Sequence, residues 1–250
     1  MTVRVDSTLS KGLSVIEALA AEPKGIGVSE LSRNLELTKS NTFRLLQTLI
    51  VSGYVRQDQN KQYFATMKSW KIGQMIMEKL DLPRLSISQM QYLSSITGEA
   101  VYLSVLDGLS TLYIEKIEST KGIRTYTPKG GNAPIHCVAT GKALLAFHYD
   151  TLRDKLIGNL DLYTDKTITT IDALDEEVDR IKNQGYAVDR GEYRAEVLSI
   201  AAPVFSANKE VIAAIGISAP ALNVSEEDIT KMSHDVFQAA QSLSNTLKNM

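Results

Sequence analysis

The sequence predicts an α+β fold in two parts, and three patterns support this prediction. The first 66 residues contain three short segments with apolar residues at helical spacing and then two short runs in which apolar and polar residues alternate. From residue 84 onward, alternating runs pair as hairpins, and amphipathic helices stand at both ends of the region, which favours α+β over a parallel α/β arrangement. Residues 1–83 carry 11 Lys and Arg and 8 Asp and Glu, whereas residues 84–250 carry 16 and 21. This asymmetry suggests that only the first part meets a polyanion.

The first part predicts three helices and a hairpin. The predicted helices span residues 7–21, 28–35 and 39–52, and the predicted strands span residues 54–57 and 62–65. Ser7 or Ser10 is the expected cap of the first helix and Ser29 that of the second, because a side-chain oxygen there accepts a free backbone N–H. Gly53 is the expected stop of the third helix. This order describes a winged helix-turn-helix domain, whose third helix enters the major groove of DNA.

The third helix has one face that core packing does not explain. Within TKSNTFRLLQTLIVSGYV, residues 38–55, three leucines and Ile50 form an apolar stripe with Thr42. The opposite face is polar, cationic and aromatic, and no acid occurs from Lys39 to Arg56. Cations there neutralise phosphates, and short polar or apolar side chains read base edges. The candidate DNA-binding residues are Ser29, Lys39, Ser40, Asn41, Phe43, Arg44 and Gln47. The alternative is a small helical domain with an exposed cationic face.

A linker and a larger second domain complete the predicted organisation. We assign residues 1–66 to the winged helix-turn-helix domain, 67–83 to a linker helix that Pro83 closes and in which Trp70 is packed, and 84–250 to the second domain. The predicted helices of the second domain span residues 85–97, 172–184 and 225–247, with another that starts at 141. Its predicted strands span residues 100–106, 112–117, 123–127, 199–205 and 211–218.

Six motifs then resemble those of one family. They are SELSRNLELTKSNTFRLLQTLIVSGYV, TGEAVYLSVLDG, YIEKIES, GGNAPIHCVATGKALLA, NQGYAVDRGE and SIAAPVF. In this order and at this spacing the chain resembles the IclR family of transcription regulators, and the stretch from YIEKIES to GKALLA resembles regulators of sugar and sugar-acid breakdown. The resemblance implies a cytoplasmic regulator, often a repressor. It also implies that the first domain binds double-stranded operator DNA and that a GAF-like second domain binds a small metabolite, usually an organic acid. It implies a homodimer or a dimer of dimers.

The resemblance also places a ligand pocket in the second domain. It implies that the residues lining the pocket include Ala139, Thr140, Gly141, Asp189 and Ser199, the last at a position where relatives often carry a cysteine. Ser218 adds a hydroxyl from the next predicted strand. From the residues themselves, Thr140 is the expected cap of a helix that begins at Gly141 or Lys142, and the free N–H groups of such an end bind a carboxylate. An ordinary capped helix and a solvated Asp189 are the alternatives.

The main alternative function is a small-molecule enzyme with an accessory first domain. Cys137 follows His136, but neighbours on a strand point to opposite faces and make a poor nucleophile–base pair. The three histidines lack metal-binding spacing, no phosphate-binding loop occurs, and the acids at 175–179 suit a solvated helix face. We therefore expect no catalytic residue, no metal and no cofactor. One cysteine and the absence of a long apolar run predict a cytoplasmic protein without a membrane span.

Overall fold

The computed structural model describes residues 6–77, 81–122 and 127–248. The chain divides into two compact units, Met1–Leu80 and Asp81–Met250. No helix in the part of the chain that the structure describes has both the length and the hydropathy to cross a membrane.

The first unit combines four helices with a three-stranded antiparallel sheet. The helices are α1 (Ser7–Ala20), α2 (Val28–Asn34), α3 (Lys39–Val51) and α4 (Lys68–Met77). The strands are β1 (Ile26–Gly27), β2 (Val55–Gln57) and β3 (Gln62–Ala65), in the order β1-β3-β2. Leu19 of α1, Leu31 of α2 and Leu46 of α3 are buried together in one core. The predicted three helices and hairpin are confirmed, while β1 was missed because two residues cannot show an alternating pattern.

The caps of the first two helices differ from those predicted. Asp6, rather than Ser7 or Ser10, caps α1, because its carboxylate accepts from the backbone N–H groups of Thr8 and Leu9 at 2.9 Å. Gly27 occupies the cap position of α2 and has no side chain to offer, so Ser29 is the second residue of that helix. Gly53 follows the end of α3 with φ of +78°, as expected of a helix stop.

The predicted linker helix is described only in part. The helix α4 is described as far as Met77, and the next described helix is α5 (Asp81–Thr97). Pro83 was expected to close the linker helix, but it lies within α5, so the chain stays helical after this proline. Trp70 was expected to be packed, but 62% of its surface is exposed. Residues 78–80 lie outside the described part of the chain.

The second unit is a six-stranded antiparallel sheet between two helical layers. Its further helices are α6 (Ala139–Leu156), α7 (Ile171–Gln184) and α8 (Glu226–Lys248). Its strands are β4 (Ala100–Asp107), β5 (Ser110–Ile117), β6 (Asn132–Pro134), β7 (Ala187–Asp189), β8 (Val197–Phe205) and β9 (Val211–Pro220), in the order β6-β5-β4-β9-β8-β7. The helices α5 and α8 pack together on one face, and α6 packs with α7 on the other. The predicted α+β class and the layout expected of a GAF-like domain are confirmed.

One predicted strand of this unit falls largely on residues without a described structure. Residues 123–126 of the strand predicted over 123–127 lie outside the described ranges, and Thr127 belongs to no strand. The short strands β6 and β7 were not predicted, because three residues are too few to show the alternation of a sheet. The edge strand β7 nevertheless matters, since it ends at Asp189.

A buried ammonium group joins three elements of the second unit. The Nζ atom of Lys142, on α6, donates to Glu177 on α7 at 2.9 Å, to the carbonyl oxygen of Val188 on β7 at 2.8 Å, and to Glu192 at 2.5 Å. The side chain of Lys142 is 1% exposed. Arg180 also pairs with Glu177 from the surface side. The acids of α7 were expected to form a solvated face, and this is wrong for Glu177, which the fold turns inward against Lys142.

The network holds more buried acids than the single lysine can neutralise. Burial raises the pKa of Glu192 to about 7, while Lys142 opposes that rise and the nearby acids Asp189 and Glu177 add to it. The same glutamates keep Lys142 charged and raise its pKa, against the effect of burial. Glu192 is therefore the group of this network that takes up a proton near neutrality.

We expect Glu192→Gln to reduce the loss of stability that follows a rise in pH. The folded chain holds the Glu192 proton up to about pH 7, whereas an unfolded glutamate releases it near ~4.3. Between those values the folded state binds more protons, so this group makes the free energy of unfolding fall as the pH rises. Urea unfolding of both proteins from about pH 5 to about pH 8 measures the difference in slope.

The exposed Glu176 of α7 offers a matched control, and Glu176→Gln should follow the wild-type profile. Parallel profiles for wild type and Glu192→Gln would show that the buried carboxyl titrates normally.

Candidate DNA-binding face and effector cavity

The outer face of α3 presents the predicted side chains to solvent. Thr38 caps the helix by accepting from the backbone N–H of Asn41 at 3.3 Å, and the hydroxyl of Thr42 donates to the carbonyl oxygen of Thr38 at 3.1 Å. Phe43 is 49% exposed, although nothing about its chemistry favours contact with water. Asn41 is half-buried, and the following predicted residues are exposed: Ser29, Lys39, Ser40, Arg44 and Gln47. The structure therefore leaves these side chains outside the core of their own unit; their contact with DNA stays a prediction.

Hydrogen bonds hold the hairpin turn and the C-terminal end of α3. The turn of the hairpin is held by Asp58, whose carboxylate accepts from the N–H groups of Asn60 and Gln62 at 2.9 and 2.8 Å. At the other end of α3, the ammonium of Lys68 donates to the carbonyl of Ser52 at 2.6 Å, and the hydroxyl of Thr66 donates to the carbonyl of Gly53 at 2.6 Å. The beginning of α4 is thereby tied to the end of α3.

The second unit contains a cavity between the beginning of α6 and the sheet. The volume in which the centre of a water molecule can lie is about 60 Å³. This is several times the ~10–15 Å³ that one water needs. Three residues of its wall form a row across neighbouring strands, because Asp189 pairs with Ser199 and Ser199 pairs with Ser218. The wall also includes Tyr102, Tyr113, Asn132, Thr140, Tyr193, Arg194 and Gly216. The cavity is therefore rich in hydroxyl groups and has room for a small molecule.

The structure brings four of the six predicted pocket residues together and separates the other two. Thr140, Asp189, Ser199 and Ser218 line the cavity. Ala139 instead belongs to the core between α6 and α7. A side chain at Gly141 would place its Cβ 2.6 Å from the carbonyl oxygen of Ile135, so close packing of the backbone explains this glycine.

Thr140 does not cap α6, contrary to the prediction. The helix begins one residue earlier, at Ala139, and the cap residue Val138 makes no side-chain hydrogen bond. The Thr140 hydroxyl is buried beside the Tyr113 hydroxyl, and its hydrogen bond to Tyr113 opposes the rise that burial causes in the pKa of that tyrosine. The Tyr102 hydroxyl is buried and makes no hydrogen bond to any described residue, so this group and the first amides of α6 remain available to a ligand.

Asp189 is buried rather than solvated, and its carboxylate is largely satisfied within the chain. One oxygen accepts from the backbone N–H groups of Gly191 and Glu192 at 2.9 and 2.7 Å, and the other accepts from the Ser199 hydroxyl at 3.0 Å. Burial raises the pKa of Asp189, and the N–H of Glu192, the charge of Lys142 and the Ser199 hydroxyl oppose the rise. A ligand hydroxyl that binds Asp189, as predicted, must therefore share the carboxylate with these internal donors.

Aromatic residues of the wall were missed by the sequence analysis. Tyr102 and Tyr113 stand on neighbouring strands with ring centroids 5.1 Å apart, and Tyr193 contacts Tyr163 edge to face at 4.9 Å. Burial raises the pKa of Tyr113 to about 12, so its hydroxyl keeps its proton. These residues come from three separate segments, and no spacing in the sequence relates them.

The nucleophile–base pair of the enzyme alternative does not form. Cys137 and His136 lie in the turn after β6 rather than on a strand. Cys137 is buried beside the carbonyl of Pro134, 3.9 Å away, and burial raises the pKa of its thiol. The Nε2 atom of His136 lies 3.1 Å from the carbonyl oxygen of Asp161 instead. Within residues 6–77, 81–122 and 127–248, no group of His, Cys, Asp and Glu is arranged to hold a metal ion.

Two family models match the chain. The IclR helix-turn-helix domain matches residues 8–59, and the model described as bacterial transcriptional regulator IclR C-terminal matches residues 74–245. The HTH-type transcriptional regulator KdgR of Escherichia coli K12 is 35% identical over 241 residues, which cover 95% of this chain and 91% of that protein.

Two further relatives extend the comparison. The transcriptional repressor IclR of Escherichia coli K12 is 28% identical, over 94% of this chain and 87% of that protein. A solved IclR homologue from Microbacterium hydrocarbonoxydans, in complex with 4-hydroxybenzoate, has the same fold, with a TM-score of 0.82 at 21% identity over 98% of this chain and 100% of that chain. The family models alone cover most of the sequence, and the exposed third helix and the cavity of the second unit agree with them. The chain belongs to the IclR family of bacterial transcriptional regulators and is a DNA-binding regulator rather than an enzyme.

Proposed function

We propose that this protein is a metabolite-responsive repressor of a catabolic operon. It binds a palindromic operator as a homodimer or a dimer of dimers, and an organic or sugar acid in the cavity controls that binding. In this proposal residues 1–66 bind DNA, 67–83 link the domains and 84–250 bind the effector. The observation that carries the proposal is the outer face of α3, which is exposed, cationic and free of acids.

The side chains of this face suit the major groove. Lys39 and Arg44 neutralise backbone phosphates, which provides affinity without sequence preference. Asn41 has the amide geometry that pairs with an adenine edge, and Phe43 offers an apolar surface to a thymine methyl group. Ser40 is short enough to let the N-terminal end of the helix approach the backbone closely. Exposure of an aromatic ring in water is unfavourable, so Phe43 gains most when DNA covers it.

The cavity suits a small acid. The first amides of α6 lack side-chain caps and carry a partial positive charge, which favours a carboxylate. The buried Tyr102 hydroxyl has no partner among the described residues and offers a further donor, and the Thr140 hydroxyl lies beside Tyr113 in the same wall. The relative solved with 4-hydroxybenzoate carries a carboxylate ligand, and the resemblance to sugar-acid regulators points to a similar class.

Control of the operator requires that the effector alter the spacing of two recognition helices. Two half-sites read by a symmetric dimer are separated by about 10 bp or a multiple of it. Because Lys68 and Thr66 tie α4 to the end of α3, a movement of α4 carries the recognition helix with it. An effector that favours one arrangement of the larger domains thereby changes operator affinity, by no more than its own difference in affinity for the two states.

We expect Arg44→Ala to weaken binding to an operator selected by the wild-type protein from a random duplex library. Loss of one phosphate contact should reduce affinity by about tenfold and reduce the salt dependence by about one unit of slope. Fluorescence anisotropy at several salt concentrations measures both quantities. The charge-matched control Lys209→Ala, in an exposed turn of the second unit, should bind as the wild type does. Equal affinity of Arg44→Ala and wild type at matched salt would remove this face from the DNA interface.

We expect small organic and sugar acids that enter the cavity to raise the melting temperature of the full chain and to weaken operator binding. A ligand at 100 times its Kd stabilises the folded state by about 2.7 kcal/mol. Thr140→Val keeps the shape of the side chain but removes its hydroxyl, so it should reduce the thermal shift. Thr151→Val, on the exposed side of the same helix, is the matched control. A ligand whose shift depends on Thr140 but which leaves operator affinity unchanged would contradict the proposed regulation.

A further inference from the structure

The hydroxyl proton of Ser199 has a fixed direction in this cavity. Ser199 Oγ donates to Asp189 Oδ2 at 3.0 Å, and a serine has only one proton to give. The lone pairs of Oγ are therefore what Ser199 offers to a bound molecule. A group placed against Ser199 must itself be a donor, such as a hydroxyl.

Asp189 cannot release this proton without leaving a buried acceptor unpaired. Its Oδ1 atom is already occupied by the backbone N–H groups of Gly191 and Glu192. If the Ser199 hydroxyl turned to the cavity, Oδ2 would lose its donor while Asp189 stays 2% exposed, and an unpaired buried carboxylate oxygen is strongly disfavoured. The carboxylate also repels a ligand oxygen that carries lone pairs and no proton.

Other groups of the same wall have the reverse polarity. The amides that begin α6 are donors, and the Tyr102 hydroxyl has a proton that no described residue accepts, while the Thr140 hydroxyl is hydrogen-bonded to Tyr113. The free donors suit oxygens that accept hydrogen bonds, above all a carboxylate. The cavity therefore distinguishes the groups of a bound molecule by the direction of their hydrogen bonds.

We propose that Ser199 is a specificity-determining residue that selects a ligand hydroxyl over a carbonyl, and that Asp189 is the positioning residue that sets this selection. The effector is then a hydroxy acid, with its carboxylate at the beginning of α6 and a hydroxyl donating to Ser199. This inference rests on the proposed function and specifies the class of effector within it.

Matched pairs of acids test this polarity on the full chain. Each pair consists of a hydroxy acid, as both enantiomers where available, and its oxo counterpart: lactate with pyruvate, 2-hydroxybutyrate with 2-oxobutyrate, 2-hydroxyglutarate with 2-oxoglutarate, and D-gluconate with 2-oxo-D-gluconate. Titration calorimetry should find a hydroxy acid as the tightest ligand, about tenfold or more tighter than its partner, since a lost hydrogen bond of this kind is worth about that factor. An oxo acid that binds as tightly, or a panel without any bound hydroxy acid, overturns the proposal.

Two substitutions separate Ser199 and Asp189 from a general effect on the pocket. Asp189→Asn retains an oxygen for the two backbone donors and places an amide N–H against Ser199 Oγ, which turns the serine proton into the cavity. The preference for the hydroxy acid should then vanish or reverse. Ser199→Ala removes the serine acceptor together with the donor to Asp189 Oδ2, while the two backbone donors to Oδ1 remain. It should abolish the preference that the serine lone pairs create, so it decides the question if Asp189→Asn fails to fold.

The matched control is Asp175→Asn, which alters a carboxylate that pairs with Arg153 and does not line the cavity. This variant should keep the wild-type preference. An unchanged preference in both Asp189→Asn and Ser199→Ala would overturn the assignment of selectivity to these residues.

Operator binding measured with the same acids separates this inference from the regulatory proposal. If oxo acids bind and release the operator, the polarity is wrong while the regulatory function stands. If hydroxy acids bind in a Ser199-dependent manner and no acid alters operator affinity, the polarity holds and the regulatory function fails.

Discussion

The buried ammonium of Lys142 is the contact on which the arrangement of the larger unit depends. It joins α6, α7, the edge strand β7 and the turn that follows β7 through three hydrogen bonds. Without it, the Val188 carbonyl and Glu192 would lose this donor, and Glu177 would keep only Arg180 as an ion-pair partner among the described residues. Removal of one member from such a group is far more costly than its net contribution, because the remaining charges stay buried. The network therefore defines one geometry of this wall.

That geometry carries directly into the cavity. The turn after β7 is held from one side by Lys142 through Glu192 and from the other by Asp189, which accepts the N–H groups of Gly191 and Glu192. Thr164 and Thr167 add bonds from a neighbouring loop to the carbonyl groups of the same turn. Tyr193 is thereby fixed in the wall. Polar groups that the fold has already paired act as rigid parts of the wall, and those it leaves unpaired are the ones that a ligand can satisfy.

The smaller unit follows the same rule with different groups. Its inward residues are accommodated within the unit, Leu46 by packing in the core and Thr42 by a local hydrogen bond. The outward face of α3 is therefore not needed for the stability of that core. The end of α3 is also occupied, because Lys68 and Thr66 complete carbonyl groups that a helix leaves open. The helix α3 is therefore capped at its N-terminal end and hydrogen-bonded at its C-terminal end to the segment that follows it.

Local physics made much of this protein predictable from its residues alone. Helical spacing, the stop at Gly53 and the hairpin turn at 58–61 are short-range properties, and they correctly predicted the three helices, the hairpin and the α+β class. The segregation of apolar and cationic residues on α3 likewise follows from the helical period. The sequence also determined the family, because six motifs in order are a property of the chain rather than of its folding.

Tertiary structure decided what each polar group is used for. No spacing relates Lys142 to Glu177 and Glu192, and three-residue strands such as β7 carry no pattern, so the burial of Glu177 and of Asp189 was not foreseeable. Thr140 was expected to cap a helix and instead lines the cavity beside Tyr113, while Gly141 serves close packing against Ile135. The sequence by itself determined which chemical groups this protein possesses. Only the three-dimensional arrangement decided which of them form hydrogen bonds within the fold and which remain for a ligand, because hydrogen bonds between distant segments exist only once the chain has brought them together.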